Sequence, residues 1–223
     1  DVENQAMGQD PRERVTRLTE GLEVIERLWS GEPVSYAGTI FRLKDVRISM
    51  APLQRPRPPI WLAGNSDAGI KRAARLGDAW LMNPHATLAT LERQMVLLHA
   101  TRRELGRPRV AEIPLIKERY VAPDRAAAFV EAQPFLEGKY RAYQRWEQDK
   151  ALPPGESFAL AFEELARDRF LIGDPGQVRD ELARYRERLG VTTVIMRLQW
   201  PGMEPARVLR SIRLLGEHVL PKL

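Results

Sequence analysis

Val15, Leu18, Leu22, Ile25 and Leu28 recur at helical spacing up to Gly31, which predicts an amphipathic helix with one buried face. Asp10-Pro11-Arg12-Glu13 supplies its start, with Asp as cap, Pro at the first helical position and Glu three residues after the cap. Short runs at 34–36 and 40–43 flank Ala37-Gly38-Thr39 and predict a hairpin. Pro52, Pro56, Pro58 and Pro59 then form a stiff extended connector.

Beyond the connector the pattern changes. Ile60-Trp61-Leu62-Ala63 is apolar on both faces, as a parallel strand covered by helices must be, and Gly64-Asn65-Ser66-Asp67 turns it into a helix ending at Leu76-Gly77. The alternation continues with a strand at 79–82, a helix at 88–105, a strand at 113–121 and a helix from 124 to about 146. A polar, Pro-containing stretch and a helical run at 158–167 make residues 149–169 the longest excursion between strands. Asp174-Pro175-Gly176-Gln177 repeats the capping pattern, and Val178, Leu182, Tyr185 and Leu189 carry that helix to Gly190. A β-branched strand at 192–198 and a last helix through Val208, Leu209, Ile212, Leu215 and Val219 complete the chain.

This is an α/β pattern with four parallel-type strands, each followed by a helix. A (β/α)8 barrel needs eight strands and typically about 250 residues. Two architectures remain: an open doubly wound sheet, or the C-terminal half of a barrel whose N-terminal half is absent from the chain.

Composition narrows the chemistry. With 223 residues, 43% hydrophobic and 29% charged, the chain can bury a sizeable core as a single domain over 1–223. Its net charge of +5 comes mainly from arginines interleaved with acids, as in Arg184-Tyr185-Arg186-Glu187-Arg188. That pattern describes solvated, ion-paired faces, so no nucleic-acid partner is expected. The absence of cysteine removes disulfides, thiolate metal sites and thiol nucleophiles, and the three histidines show no metal spacing, so no metal is expected. No apolar run approaches 18 residues and the first residues lack a basic, apolar leader, which points to a cytoplasmic protein with no membrane partner.

Four spaced motifs carry a resemblance. Residues 17–32, closing in Leu28-Trp29-Ser30-Gly31-Glu32, are followed by the hairpin, by Pro58-Pro59-Ile60-Trp61-Leu62-Ala63-Gly64-Asn65-Ser66, by Ala73-Ala74-Arg75-Leu76-Gly77-Asp78-Ala79-Trp80, and by Phe170-Leu171-Ile172-Gly173-Asp174-Pro175. In this order they resemble the bacterial luciferase-like flavin-dependent monooxygenase family. The resemblance implies a (β/α)8 TIM-type barrel, of which this chain begins after the expected fourth strand. It also implies FMN as cofactor, or alternatively a deazaflavin coenzyme. Further implied are a small organic substrate, a separate NAD(P)H flavin reductase and a homo-oligomer in the complete protein.

Candidate site residues lie where barrel sites are assembled, at strand C-terminal ends. Gly64, Asn65 and Ser66 join a strand to a helix start, where free N–H groups and the helix dipole favour a phosphate. They can equally serve only to cap the helix. In the resembling family the similar segment contacts the phosphate end of the flavin. Asn83 and His85 follow the second strand, Lys117, Arg119 and Tyr120 lie in the third, and Arg197, Gln199 and Trp200 close the fourth. Arg197 is the leading ligand candidate, because a charged residue late in a buried strand needs an anionic partner, either a ligand or a carboxylate of the protein. No nucleophile-base arrangement is present, which suits an enzyme whose cofactor performs the difficult chemistry. The excursion at 149–169 is the natural lid.

The expected function is a flavin-dependent oxidoreductase, foremost a monooxygenase using reduced FMN and dioxygen. The alternatives are a deazaflavin-dependent hydride transfer and a non-catalytic flavin-binding or half-barrel interaction protein.

Overall fold

The structure, a computed structural model, describes residues 2–223 apart from the Val2 side chain. It falls into two compact units, the first running to Pro59 and the second from Ile60 to Leu223.

The first unit holds a short helix α1 (Val2–Ala6), a 3-10 turn at Pro11–Glu13, the helix α2 (Arg14–Leu28) and an antiparallel hairpin of β1 (Val34–Ala37) and β2 (Arg42–Val46). Asp10 caps the 3-10 turn through the N–H of Arg12 at 2.9 Å, so the cap signal starts that turn and α2 follows from it. Glu20 is the main polar tie between the hairpin and α2, beside the Tyr36 hydroxyl's bond to Glu23 at 3.1 Å. Glu20 accepts the N–H groups of Thr39, Ile40 and Phe41 at 2.8, 2.9 and 3.1 Å, donors that a tight hairpin end leaves without strand partners.

The second unit alternates strands and helices: β3 (Trp61–Ala63), α3 (Asp67–Leu76), β4 (Ala79–Leu81), α4 (Leu88–Glu104), β5 (Pro114–Val121), α5 (Arg125–Arg145), α6 (Phe162–Ala166), β6 (Leu171–Gly173), α7 (Pro175–Leu189), β7 (Thr193–Arg197) and α8 (Pro205–His218). β3 pairs with β4, and β5 with both β6 and β7, always in parallel. Leu115 links the two groups, pairing with Val194 on one side and bridging to Met82 on the other. The row is therefore β3-β4-β5-β7, with β6 against the C-terminal half of β5 on the edge opposite β7.

Two expectations change. The sequence pattern predicts four parallel strands, and the structure has a fifth, Leu171–Gly173. Three residues carry little periodic signal, and the Asp174 capping box directly after them dominates the local pattern. The helical run expected at 158–167 contracts to Phe162–Ala166. The Ser157 hydroxyl accepts the N–H of Ala159 at 3.0 Å, a local turn that competes with helix at this point, and Phe158 turns into the core instead.

Strand β5 divides the interior. Its odd positions face α7 and α8: the Lys117 ammonium lies 4.2 Å from the Tyr185 ring centre, and Arg119 reaches Ser211. Its even positions face α5, where Glu118 meets Lys139 and Tyr120 donates to Glu131. One apolar cluster gathers Leu115 and Val121 with Val178, Leu182 and Leu215, and a second gathers Tyr120 with Tyr140, Phe158, Phe162 and Trp200. The second cluster borders the strand ends where the candidate residues lie.

Candidate functional site

Three of the candidates meet in one hydrogen-bond network at the ends of β3 and β4. The Asn83 amide donates to Asn65 Oδ1 at 3.0 Å, which leaves Asn65 Nδ2 to face His85 Nδ1 at 3.3 Å. Gln94 from α4 donates to the Asn65 carbonyl at 2.6 Å, and the Trp80 indole donates to the Gly64 carbonyl at 3.0 Å. This arrangement sets the His85 tautomer: Nδ1 accepts, so the proton sits on Nε2. That Nε2 is buried and has no partner among the described residues.

His85 is also held neutral. Burial, then the charges of Arg197 and Lys139, push its pKa down to about 4. Its ring is boxed by Tyr143, Phe158 and Tyr140 at centroid distances of 5.3, 5.6 and 6.3 Å, all edge-on. The result is a neutral N–H donor in an aromatic enclosure, without an acceptor among the described residues.

The Gly64 turn is sterically fixed. A Cβ on Gly64 would come within 2.8 Å of the Gly69 carbonyl carbon, so only glycine lets β3 turn this tightly into α3. Ser66 caps α3, its Oγ accepting from Gly69 N at 3.3 Å. Capping uses one lone pair; the hydroxyl proton and the first-turn N–H groups of Asp67 and Ala68, which have no partner within the helix, remain available to an anion.

The second half of the site is electrostatic. Glu118 is fully buried and receives Lys139 Nζ at 2.5 Å, Arg197 Nη1 at 3.3 Å and the Trp200 indole N–H at 3.1 Å. Arg197 Nη1 also donates to the Tyr143 hydroxyl at 3.3 Å, which connects this cluster to the aromatic wall around His85. One carboxylate faces two cations, so the group carries a local positive surplus, and the Arg197 side chain is 41% exposed.

The remaining candidates separate. Gln199 folds back to donate to the Trp200 carbonyl at 2.9 Å. Arg119 lies on the other face of β5, fully buried, donating from Nη1 to Ser211 O and Oγ at 2.8 Å each. Burial lowers its pKa to about 10, and it belongs to the β5–α8 packing, with Lys117 beside it facing Tyr185. Tyr120 donates to Glu131, which also binds Arg210.

Residues that sequence reasoning passed over complete the site. Gln94, Lys139 and Tyr143 lie on helices, where nothing in their spacing distinguishes them from ordinary polar positions. Glu156 lies within the 149–169 excursion and Arg169 closes it. Glu156 accepts from Thr87 N at 2.9 Å and from the Thr87 and Thr90 hydroxyls at 2.6 Å, capping α4 from outside the helix. Arg169 pairs with Glu156 and donates from Nε to the His85 carbonyl at 3.0 Å. The excursion is thus fastened beside His85.

Comparison with known proteins places the chain in a family. The profile of the luciferase-like monooxygenase family matches residues 1–193. An F420-dependent glucose-6-phosphate dehydrogenase of Microbacterium testaceum is 29% identical over 219 residues, covering 95% of this chain and 61% of that protein. The crystal structure of the monooxygenase RslO1 from Streptomyces bottropensis superposes with a TM-score of 0.80 at 25% identity, over 99% of this chain and 65% of that one. The FMN complex of the oxygenating constituent of 3,6-diketocamphane monooxygenase from Pseudomonas putida shares the fold, with a TM-score of 0.68 at 19% identity over 92% of this chain and 62% of that one. The chain therefore spans 61–65% of the length of these relatives.

Proposed function

This chain belongs to the luciferase-like monooxygenase family, and we propose that it forms the C-terminal part of a (β/α)8 oxidoreductase that binds the phosphate end of a flavin-type cofactor at the start of α3. A small organic substrate then lies under the 149–169 lid, beside His85. The observation that carries this reading is the His85 Nε2–H, a buried donor without an acceptor among the described residues, held in its tautomer by Asn65. A buried donor of this kind costs about 1–3 kcal/mol when left unpaired, a cost that a bound acceptor atom relieves.

The residues fit such a cofactor. Gly64 keeps the backbone clear, and Ser66 with the first-turn amides of α3 offers donors to a phosphate. When bound, the cofactor ring supplies the electron or hydride transfer. The chain supplies the rest: His85 donates to an uncharged acceptor atom, Tyr140, Tyr143 and Phe158 exclude water around it, and Arg197 with Lys139 draws anionic groups toward the site.

FMN with dioxygen is the first reading; the overlap with the monooxygenase RslO1 across 99% of the chain supports its oxygenating half. A deazaflavin-dependent hydride transfer is the second, favoured by the similarity to the F420-dependent enzyme across 95% of the chain. The two separate in one assay. Substrate-dependent oxygen uptake on adding reduced FMN supports the first; anaerobic oxidation of a substrate coupled to deazaflavin reduction supports the second. Binding of either cofactor without turnover points to a non-catalytic flavin-binding protein.

A further inference from the structure

A cleft of about 670 Å³ opens between α4 and α7, at the end of the parallel sheet away from His85. Its floor is apolar, made by Met95, Val96, Val110, Ile113 and Leu189. Val96 is 70% exposed on this floor. Three arginines line the same cleft. Arg188 is neutralised by Glu92, with two contacts of 2.6 Å. Arg103 and Arg109 have no acidic partner among the described residues, so the cleft combines an apolar body with two uncompensated cations. His99 adds a buried Nδ1 that also lacks a partner among the described residues.

We propose that this cleft binds a small monocarboxylate with an apolar body, its carboxylate held by Arg103 and Arg109 and its hydrocarbon part covering Val96 and Val110. Pockets of this volume, with an apolar lining and a few convergent polar groups, have the dimensions of small-molecule sites. A carboxylate matches the planar donor fork of a guanidinium, and the hydrocarbon removes the exposed valine from water. Arg103, in the last turn of α4, also complements the carbonyl end of that helix. Arg109 lies beyond the helix and has no such role, so it is the more diagnostic of the two.

His99 reports on occupancy. Burial, then the charges of Arg109 and Arg102, lowers its pKa; an anion placed against Arg109 offsets part of that and moves the pKa back up. With three histidines in the chain, their ring signals can be followed individually by NMR. Titration of the full chain with octanoate is expected to saturate one site, shift the His99 signals, raise the His99 pKa and leave the His85 signals in place. Octanol should bind more weakly and leave the His99 pKa unchanged. Arg109→Gln and Arg103→Gln, both at exposed positions, should each weaken octanoate binding about tenfold or more without changing octanol binding. Octanol binding as tightly as octanoate, a stationary His99, or unchanged octanoate affinity in Arg109→Gln would each overturn the proposal.

Discussion

Glu156 and Arg169 pair across the 149–169 excursion with both side chains only 4% exposed. The turn at Glu156 is thereby locked to the C-terminal end of the segment, and through Thr87 and the His85 carbonyl to the start of α4. Glu156→Gln should destabilise the protein by about 3–5 kcal/mol, because it leaves the Arg169 guanidinium buried without its counter-charge. Arg169→Met should cost less, since Glu156 keeps its Thr87 and Thr90 donors. Denaturant unfolding of the two variants checks the order.

The same pair gives an acid limit. Burial raises the Glu156 pKa, but hydrogen bonds from Thr87 and Thr90 and the Arg169 charge outweigh it and hold the carboxyl below its ordinary value. The unfolded chain therefore takes up the proton first as pH falls. The stabilisation is complete above the unfolded carboxylate value near ~4.3 and drains away as pH drops through the lower folded value. Wild type should lose stability over that range more steeply than Glu156→Gln.

Lys117 acts in the opposite part of the scale. Burial first, and then Arg169, push its pKa down to about 7, against the partial help of Glu181, Asp168 and Glu156. Between that value and the unfolded lysine value of ~10.4 the unfolded state holds more protons, so this group's contribution to stability rises with pH across the window. Lys117→Met should melt above wild type at neutral pH, with the gap narrowing toward pH ~10. A gap independent of pH would show that the lysine is not the titrating group.

Arg197 has a protein carboxylate within reach, and that decides what its removal does. Glu118 keeps Lys139 and the Trp200 indole when Arg197 is replaced. Because the arginine side chain is 41% exposed, Arg197→Met should cost only about 1 kcal/mol of stability. Glu118→Gln, which leaves Lys139 and Arg197 facing each other, should cost about 3–5 kcal/mol. If Arg197 also holds an anionic ligand, Arg197→Met loses ligand affinity out of proportion to its stability loss; unchanged affinity would confine Arg197 to the Glu118 cluster.

Asn65, Asn83, His85, Arg197 and Trp200 were legible from the sequence because a rule of topology places them: residues just past parallel strands gather at one end of the sheet. The helices α2, α4, α5 and α7 were legible for a different reason, since caps and apolar spacing are local. What stayed hidden depends on long-range pairing. Gln94 reaches Asn65 across 29 residues, Glu156 reaches Thr87 across 69, and Arg197 reaches Glu118 across 79. Arg119 shows the limit within a single strand: its place near a strand end was readable, but the face it takes depends on α8 presenting Ser211.

His85 should titrate with an inflection near pH 4, from the same burial and cationic neighbours that hold it neutral. Because its folded pKa lies below the unfolded value of ~6.5, this group's contribution to stability is full above that value and falls as pH drops toward 4. Ring NMR should report the Nε2-protonated tautomer at neutral pH. An inflection near 6.5 would mean that the aromatic enclosure is open to water.

The phosphate reading of the α3 start is tested most directly by Ser66→Asp. Aspartate caps a helix as well as serine does, so stability should change by no more than about 0.5 kcal/mol, while its carboxylate stands where a cofactor phosphate would sit. FMN affinity should fall about tenfold or more by like-charge repulsion, and riboflavin, which carries no phosphate, should bind as before. Equal weakening of both ligands, or an unchanged FMN affinity, would contradict the account and leave Ser66 a helix cap alone.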